Sequence, residues 1–274
     1  MGENSKDNFR FLNVDGRWPV FEWDGLELGA DGSLQLQTLP LLEGVEPNNT
    51  SDTEAQSGPA GIAVSPDGTI YFSDPMTHRV VRVDPCDGVV SNVPCMGGKG
   101  GRPAEFNTPR GLLIPEYRES LFVADSGNHR IQVFDLASGQ LVDIWGESSS
   151  EPRLPSDEPG RFNTPWALAG DRLGNVYVVD YGNQRVQKFN RVGELIPSFW
   201  ETIAASGVLT QPVDISVYST DEETRVYVVD AVLHSVFVFD DDGNLASDAK
   251  NSFGADVLIK PLGITVSTGA VYVG

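Results

Sequence analysis

The stretch Asp125-Ser-Gly-Asn-His-Arg-Ile-Gln-Val-Phe134 recurs along the chain in altered form, and its recurrence decides the fold. The counterpart at 180–189 reads Asp-Tyr-Gly-Asn-Gln-Arg-Val-Gln-Lys-Phe, and related segments begin at Asp74 and Asp230. An apolar run that opens with proline precedes each copy, at Pro59, Pro109, Pro165 and Pro212, and a fifth run opens at Pro261. A constant core at intervals of about 50 residues is typical of repeat architectures.

Each repeat reads as four short strands, which we call a, b, c and d. In the second repeat these are predicted at Gly111–Ile114, Leu121–Ala124, Arg130–Phe134 and Leu141–Trp145. Asp, Gly, Asn and Ser separate the strands, as expected for hairpin turns. No stretch keeps an apolar period of about 3.6 residues, so we expect little helix. Antiparallel units of this length and strand number are the signature of propeller blades.

The segments at 125–134 and 177–189 resemble the centre of an NHL repeat. The resemblance extends from about residue 58 to 274, and it weakens at 212–240, where Ser235 replaces the arginine of the other copies. It implies an all-β fold, a β-propeller of four-stranded antiparallel blades that is commonly six-bladed. The family contains binding proteins and some enzymes, so the resemblance is specific for fold rather than for activity.

The sequence contains four full blades and part of a fifth, so we predict a propeller at 25–274 after a non-repeat extension at 1–24. Closing the ring would leave no free strand edge. Two solutions are open. The hairpin predicted at Leu26–Leu39, with its turn at Asp31-Gly32, could supply the outer strands of the last blade. Alternatively, the natural chain continues past Gly274, which the stop in mid-strand favours.

The strongest compositional feature is charge: 19 Lys plus Arg against 39 Asp plus Glu give −20. Such a surface repels phosphate and anionic lipid, which disfavours nucleic acid, including the RNA that some NHL propellers bind, and membranes. No apolar run is long enough to cross a bilayer, and the acidic start predicts no secretory signal. We interpret Cys86 and Cys95 as free thiols in a reducing compartment, and we expect a cytoplasmic protein.

An aspartate and an arginine five residues apart open the b–c turn in three repeats, and we interpret the pairs as structural braces. They are Asp74 with Arg79, Asp125 with Arg130, and Asp180 with Arg185. The three histidines share one position in the same turn, at His78, His129 and His234. Because different blades hold them far apart, we expect no metal bound there.

The loops that lead into strand a are the candidate partner-binding face, at 96–108, 147–164 and 201–211. Phe106-Asn-Thr-Pro and Phe162-Asn-Thr-Pro repeat within two of them, and each phenylalanine is predicted to fill the gap between blades. The glycine-rich segment at 96–102 contains Lys99 and Arg102, a flexible basic patch on an acidic protein. It lacks the residues and the following helix of a phosphate-binding loop.

Catalytic residues are not visible in the sequence. Propeller lactonases and lyases carry metal-binding side chains at the inner ends of strand a, where this chain has Ala60, Arg110, Trp166, Val213 and Leu262. Asp240–Asn244 resembles the start of a calcium loop, but a hairpin turn is favoured. We therefore predict a non-enzymatic binding module with no metal or cofactor. The alternative is a lactonase-type or lyase-type enzyme with a divalent metal on the axis.

The extension is aromatic and basic, the composition of an interface core. The residues proposed to contact a partner there are Arg10, Phe11, Arg17, Trp18, Phe21 and Trp23. A competing interpretation is that these aromatic side chains cover an edge of the propeller itself. The segment also resembles the openings of propeller proteins associated with phage-tail-like contractile injection systems. That resemblance implies a structural component of a larger particle, with protein partners.

Overall fold

The computed structural model describes residues 60–83, 90–93, 95–146, 154–246, 252–255, 258, 260–267 and 270–274, together with the backbone at 27–28 and 34–35. The chain divides into two compact units, Met1–Gly58 and Pro59–Gly274. In the first unit, β1 (Glu27–Leu28) pairs antiparallel with β2 (Leu34–Gln35). The predicted hairpin is therefore present. The extension at 1–24 and its proposed contact residues lie outside the described residues.

The second unit consists of four four-stranded antiparallel sheets and a final two-stranded one. The first blade is β3 (Gly61–Val64), β4 (Ile70–Asp74), β5 (Arg79–Val83) and β6 (Val90–Asn92). The second is β7 (Pro109–Leu113), β8 (Ser120–Asp125), β9 (Arg130–Asp135) and β10 (Leu141–Trp145).

The later blades have the same order. The third contains β11 (Pro165–Gly170), β12 (Val176–Asp180), β13 (Arg185–Phe189) and β14 (Leu195–Ile196). The fourth contains β15 (Pro212–Ser219), β16 (Thr224–Asp230), β17 (Ser235–Phe239) and β18 (Ser252–Phe253). The partial fifth is β19 (Ile264–Ser267) paired with β20 (Ala270–Val273). The predicted all-β propeller is confirmed.

Strand a of each blade contacts strand a of the next, from β3 through β7, β11 and β15 to β19. The backbones come close where this strand carries glycine. A Cβ built on Gly111 would lie 2.7 Å from the carbonyl oxygen of Trp166 and 2.9 Å from the Cα of Ala167. This crowding leaves little room for side chains at the start of the inner strands.

The apolar side chains of facing sheets form the core between successive blades. One cluster joins the second and third blades and includes Phe122, Trp145, Phe162 and Phe189. Similar clusters join the first blade to the second and the third to the fourth. Each buried aromatic side chain contributes about 1.5–3 kcal/mol by leaving water. Blade-to-blade packing is therefore what holds the unit together.

A ten-residue helix, α1 (Pro197–Ser206), lies between the third and fourth blades, where the sequence predicted a loop at 201–211. Pro197 stands at its first turn, and Gly207 ends it with φ 65°. Phe199 and Ile203 are buried in the cluster between the two blades. Their i, i+4 spacing was a helix signal too short to detect as a period. Among the described residues, no helix has the length and apolar character needed to cross a membrane.

Candidate partner-binding face

The b–c turns and the loops that lead into strand a lie at the same end of each blade, because a–b and c–d hairpins turn at the opposite end. Backbone contacts join the two: the amides of Gly127 and Gly182 donate to the carbonyl oxygens of Asn107 and Asn163. We call this end the turn face. It consists of the b–c turns at 75–78, 126–129, 181–184 and 231–234, the loops at 95–108, 154–164 and 207–211, and the start of each strand a, which includes Arg110, Trp166 and Leu262.

A buried polar cluster fastens the loop at 95–108 to the second blade. Arg130 Nε lies 2.8 Å from Asp125 Oδ2, and both side chains are at most 1% exposed. The same Asp125 oxygen accepts from Asn128 Nδ2 and Gln132 Nε2. Burial raises the pKa of Asp125, against the opposing effect of these hydrogen bonds and of Arg130. The arginine is thus the partner that makes a buried carboxylate tolerable.

The same side chains also form hydrogen bonds with the backbone of the loop. Arg130 Nη2 donates to the carbonyl oxygens of Arg102 and Glu105, at 2.8 and 3.0 Å. Asn128 Nδ2 donates to Gly100 O at 2.9 Å, and Gln132 Oε1 accepts from the amide of Ala104. The loop that was expected to be flexible is therefore held along its length.

The third blade repeats the arrangement. Arg185 pairs with Asp180 at 2.8 Å and donates to three carbonyl oxygens of the loop at 154–164, those of Asp157, Glu158 and Arg161. Asn183 donates to Ser156 O, and Gln187 donates to Arg161 O. The sequence singled out the aspartate and the arginine but missed the asparagine and the glutamine. The signal was the common pattern Asp-x-x-Asn-x-Arg-x-Gln.

The outer blades differ from this pattern. In the first, Arg79 Nε donates to Thr77 Oγ1, which in turn contacts Asp74 Oδ2, so the expected pair is linked through a hydroxyl. In the fourth, Ser235 donates to Leu233 O, and Asp230 accepts from the backbone amides of Thr210 and Gln211. Of the three predicted Asp–Arg pairs, those of the second and third blades are therefore direct.

The histidines connect successive blades. Nδ1 of His78 accepts from the amide of Thr108 at 2.9 Å, and Nδ1 of His129 accepts from Thr164 at 3.0 Å. Nδ1 of His234 accepts from Lys260 at 2.9 Å. An Nδ1 atom can accept a hydrogen bond only when the imidazole is neutral, because both ring nitrogens carry a proton in the charged form. Burial lowers the pKa of His78 and of His129, which favours the neutral form.

The two repeated phenylalanines lie where the sequence predicted them. Phe106 is fully buried in the cluster between the first and second blades, and Phe162 is fully buried in the cluster between the second and third. The ring of Phe106 lies 5.8 Å from that of Phe134, and the ring of Phe162 lies 5.6 Å from that of Phe189. Both side chains close the turn-face end of the core.

Three side chains stack on the turn face near the inner strands. The guanidinium carbon of Arg110 lies 3.8 Å from the ring centroid of Trp166, and the rings of Trp166 and Tyr181 are 4.0 Å apart. All three are partly exposed. Hydrogen bonds hold the backbone on both sides, from Ser73 Oγ to Arg110 O and from Gln211 Nε2 to Tyr181 O. The sequence named Arg110 and Trp166 only as positions unsuited to a metal, and it missed their contact.

Large apolar side chains are also exposed on this face. Met76 and Val232 in two b–c turns are 57% and 56% exposed, and Leu262 at the inner end of the partial blade is 69% exposed. Single exposed apolar residues are common on protein surfaces, whereas contiguous apolar patches are typical of interaction sites. The turn face therefore combines exposed apolar side chains with an arginine that stacks on an aromatic ring.

The basic residues predicted for partner contact on this face are both exposed. The backbone of Lys99 forms a β-bridge with Phe106, and the carbonyl oxygen of Arg102 accepts a hydrogen bond from Arg130. Their backbones are thus part of the fastened loop. Cys95 is exposed, and Cys86 lies outside the described residues.

The described residues contain no group of three His, Cys, Asp or Glu side chains placed to hold a metal ion. Asp240–Asn244 forms a hairpin turn, in which Asp240 Oδ1 accepts from the amides of Asp242 and Asn244. Asp241 contacts Lys188 Nζ, and Tyr177 OH lies 3.0 Å from Asp241 Oδ1. These contacts join the third and fourth blades at the end opposite the turn face.

Comparison with known proteins supports the resemblance found in the sequence. Residues 162–189 match the model of the NHL repeat. Rat (Rattus norvegicus) peptidylglycine alpha-amidating monooxygenase is 28% identical over 181 residues, 61% of this chain and 18% of that protein. NHL repeat-containing protein 2 of Bos taurus is 31% identical over 121 residues, 36% of this chain and 17% of that protein. The Drosophila melanogaster protein brain tumor is 27% identical over 150 residues, 54% of this chain and 13% of its own length.

Solved structures share the fold. Virginiamycin B lyase from Staphylococcus aureus, in complex with quinupristin, matches with TM-score 0.55 at 13% identity and covers 100% of this chain and 80% of its own. A streptogramin B lyase matches with TM-score 0.51 at 17% identity, with 79% and 62% covered. At these identities the likeness concerns the propeller fold alone. The chain spans less than a fifth of each of the curated relatives named above.

Proposed function

We propose that this propeller is a non-enzymatic binding module and that its turn face contacts a protein partner. The observation that carries the proposal is the stack of Arg110, Trp166 and Tyr181, on a face that also exposes large apolar side chains. Aromatic and arginine side chains are enriched where interfaces gain most of their free energy. The fastened loops present this surface with little ordering cost on binding. NHL-repeat relatives include proteins of other functions, so the proposal depends on the face itself.

The test compares two double variants with similar exposed apolar area. Met76→Ser with Leu262→Ser alters the turn face, whereas Leu173→Ser with Val192→Ser alters the a–b and c–d turns of the third blade at the opposite end. Proteins captured by the wild-type chain from its source cells are quantified by mass spectrometry. We expect the turn-face variant to lose them at least tenfold and the control to retain them. Equal capture by the two variants would contradict the proposal.

The alternative function that the sequence left open is a lactonase-type or lyase-type enzyme with an axial divalent metal. Metal analysis of the purified chain distinguishes the two. A stoichiometric divalent metal that resists dialysis would favour the enzyme, whereas the binding module requires none. A filter-binding assay at low salt likewise tests RNA, which the net charge of −20 disfavours.

A finer form of the proposal concerns residues 1–24, whose sequence resembles the openings of propellers of contractile injection systems. We propose that this segment docks the propeller in a phage-tail-like particle assembled in the cytoplasm. Burying two tryptophans and two phenylalanines could contribute roughly 6–12 kcal/mol before association costs. Deletion of 1–24 should leave a folded propeller that no longer co-purifies with its particle. Aggregation of the deletion protein would instead favour aromatic side chains that cover the propeller's own edge.

A further inference from the structure

Arg110 differs from Arg130 and Arg185, the arginines that pair with aspartate in the b–c turns of the second and third blades. Arg130 and Arg185 each lie 2.8 Å from a carboxylate oxygen. Within the described part of the chain, no carboxylate oxygen lies within 4.0 Å of the Arg110 guanidinium. Burial lowers the pKa of Arg110, so its charge is partly desolvated, and the described residues place no carboxylate beside it.

Stacking on Trp166 positions this charge without consuming its hydrogen-bonding capacity. A guanidinium that lies over an aromatic ring uses its face for the contact, and its N–H groups point outward in the plane of the group. Those N–H groups match the two oxygens of a carboxylate. Because the Trp166 ring packs against both the Arg110 guanidinium and the Tyr181 ring, the arginine is held before a ligand arrives.

The surroundings of Arg110 fit an extended chain. Ser73 Oγ donates to the Arg110 carbonyl, which places the first-blade turn and its exposed Met76 on one side. Trp166 and Tyr181 of the third blade lie on the other side. A segment that crosses the face would therefore meet apolar contacts before and after the cation. An internal acidic residue has neighbours on both sides that can make these contacts, whereas a C-terminal carboxylate has neighbours on one side only.

We propose that the turn face binds an extended segment of a protein partner through an internal Asp or Glu whose carboxylate pairs with Arg110. This inference rests on the proposed function and names the chemistry of the partner. Apolar side chains that flank the acidic residue pack on Met76 and on the Trp166–Tyr181 stack. A nucleic acid would bring many phosphates toward a chain of net charge −20.

The test begins with a display library of random dodecapeptides selected on the full chain. We expect enrichment of Asp or Glu with an apolar or aromatic neighbour within three positions. Selection on Arg110→Gln should lose the acidic preference. Arg172→Gln is the matched control, because Arg172 is an exposed arginine whose nearest acidic partner is Asp221 at 3.6 Å. Failure to enrich any peptide, or the same acidic enrichment on Arg110→Gln, would overturn the inference.

A titration then separates the carboxylate from other sources of affinity. The enriched peptide should bind the wild-type chain at least tenfold more tightly than its Asp→Asn or Glu→Gln version, and Arg110→Gln should abolish this difference. An amidated C-terminus should leave binding unchanged. The peptide comparison uses the wild-type protein, so it stands even if Arg110→Gln folds poorly. If an oligouridine 12-mer binds the wild-type chain at low salt more tightly than the enriched peptide does, the proposal of a peptide ligand is refuted.

The two proposals fail in different ways. If enriched peptides lack an acidic residue but are lost with Met76→Ser and Leu262→Ser, the turn face binds protein and the role of Arg110 is wrong. If the peptides bind that double variant as well as wild type, the proposed binding face is wrong too.

Discussion

His129 Nδ1 accepts the backbone amide of Thr164 at 3.0 Å, so a side chain from the second blade holds the residue before strand a of the third. Both residues have a left-handed backbone, with φ of 56° and 55°. Such conformations are unfavourable for residues other than glycine, and histidine tolerates them better than most. The hydrogen bond and the buried Phe162 next to it offset that cost. The same link recurs from His78 to Thr108.

Acid should weaken these links. Burial lowers the pKa of His78 and His129 in the folded chain, so the unfolded chain binds protons more readily. The stability that neutral histidines contribute is present above the unfolded pKa of about 6.5 and is lost as the pH falls through the folded values. The urea midpoint should therefore decrease from pH 8 to pH 5.

The control for this pH dependence is His129→Gln, because Gln184 occupies the same position in the third blade. We expect the variant to lose about 1 kcal/mol at pH 8 and to show a shallower decrease toward pH 5. An unchanged pH profile would contradict a role for His129.

Removing the carboxylate of the second-blade cluster should be costly. Asp125→Ala leaves Arg130, 1% exposed, without its ion pair, and breaking one partner of a buried pair costs about 3–5 kcal/mol. Asp74→Ala is the matched change in the first blade, where Arg79 donates to Thr77 instead, and it should cost about 1–2 kcal/mol through its turn hydrogen bonds. Thermal unfolding followed by circular dichroism measures both. Unchanged stability of Asp125→Ala would refute the brace.

Crowding between inner strands predicts an effect at Gly111. A methyl group there would press on the backbone at Trp166 and Ala167, so Gly111→Ala should lose about 1–3 kcal/mol. Gly98→Ala is the control, since a Cβ built on Gly98 has nothing within 4 Å. Equal denaturation midpoints for the two variants would mean that the strands separate easily.

The helix α1 should stabilise the contact between the third and fourth blades. Phe199 is fully buried against both, and its ring lies 5.2 Å from that of Tyr177. Phe199→Ala should cost about 3–5 kcal/mol by leaving a cavity. Glu201→Ala changes an exposed residue of the same helix and should change the free energy of unfolding by less than about 0.5 kcal/mol. A small loss for Phe199→Ala would show that the blades pack without the helix.

The blades themselves were predictable because their signals are local. The strands expected at Arg130–Phe134 and Leu141–Trp145 appear as Arg130–Asp135 and Leu141–Trp145. Alternation along a strand and turn-forming residues between strands act over a few residues, so one sequence displays them. The aspartate and arginine of the b–c turn were likewise visible, since they lie within a single turn.

Only the tertiary structure decided which side chains of neighbouring blades come into contact. Arg110, Trp166 and Tyr181 come from two inner strands and a turn, and they meet because neighbouring blades pack face to face. The helix at Pro197–Ser206 is decided in the same way, by the groove between two blades that buries Phe199 and Ile203. A repeat determines each blade from its own residues, but contacts between repeats depend on packing geometry that sequence spacing does not encode.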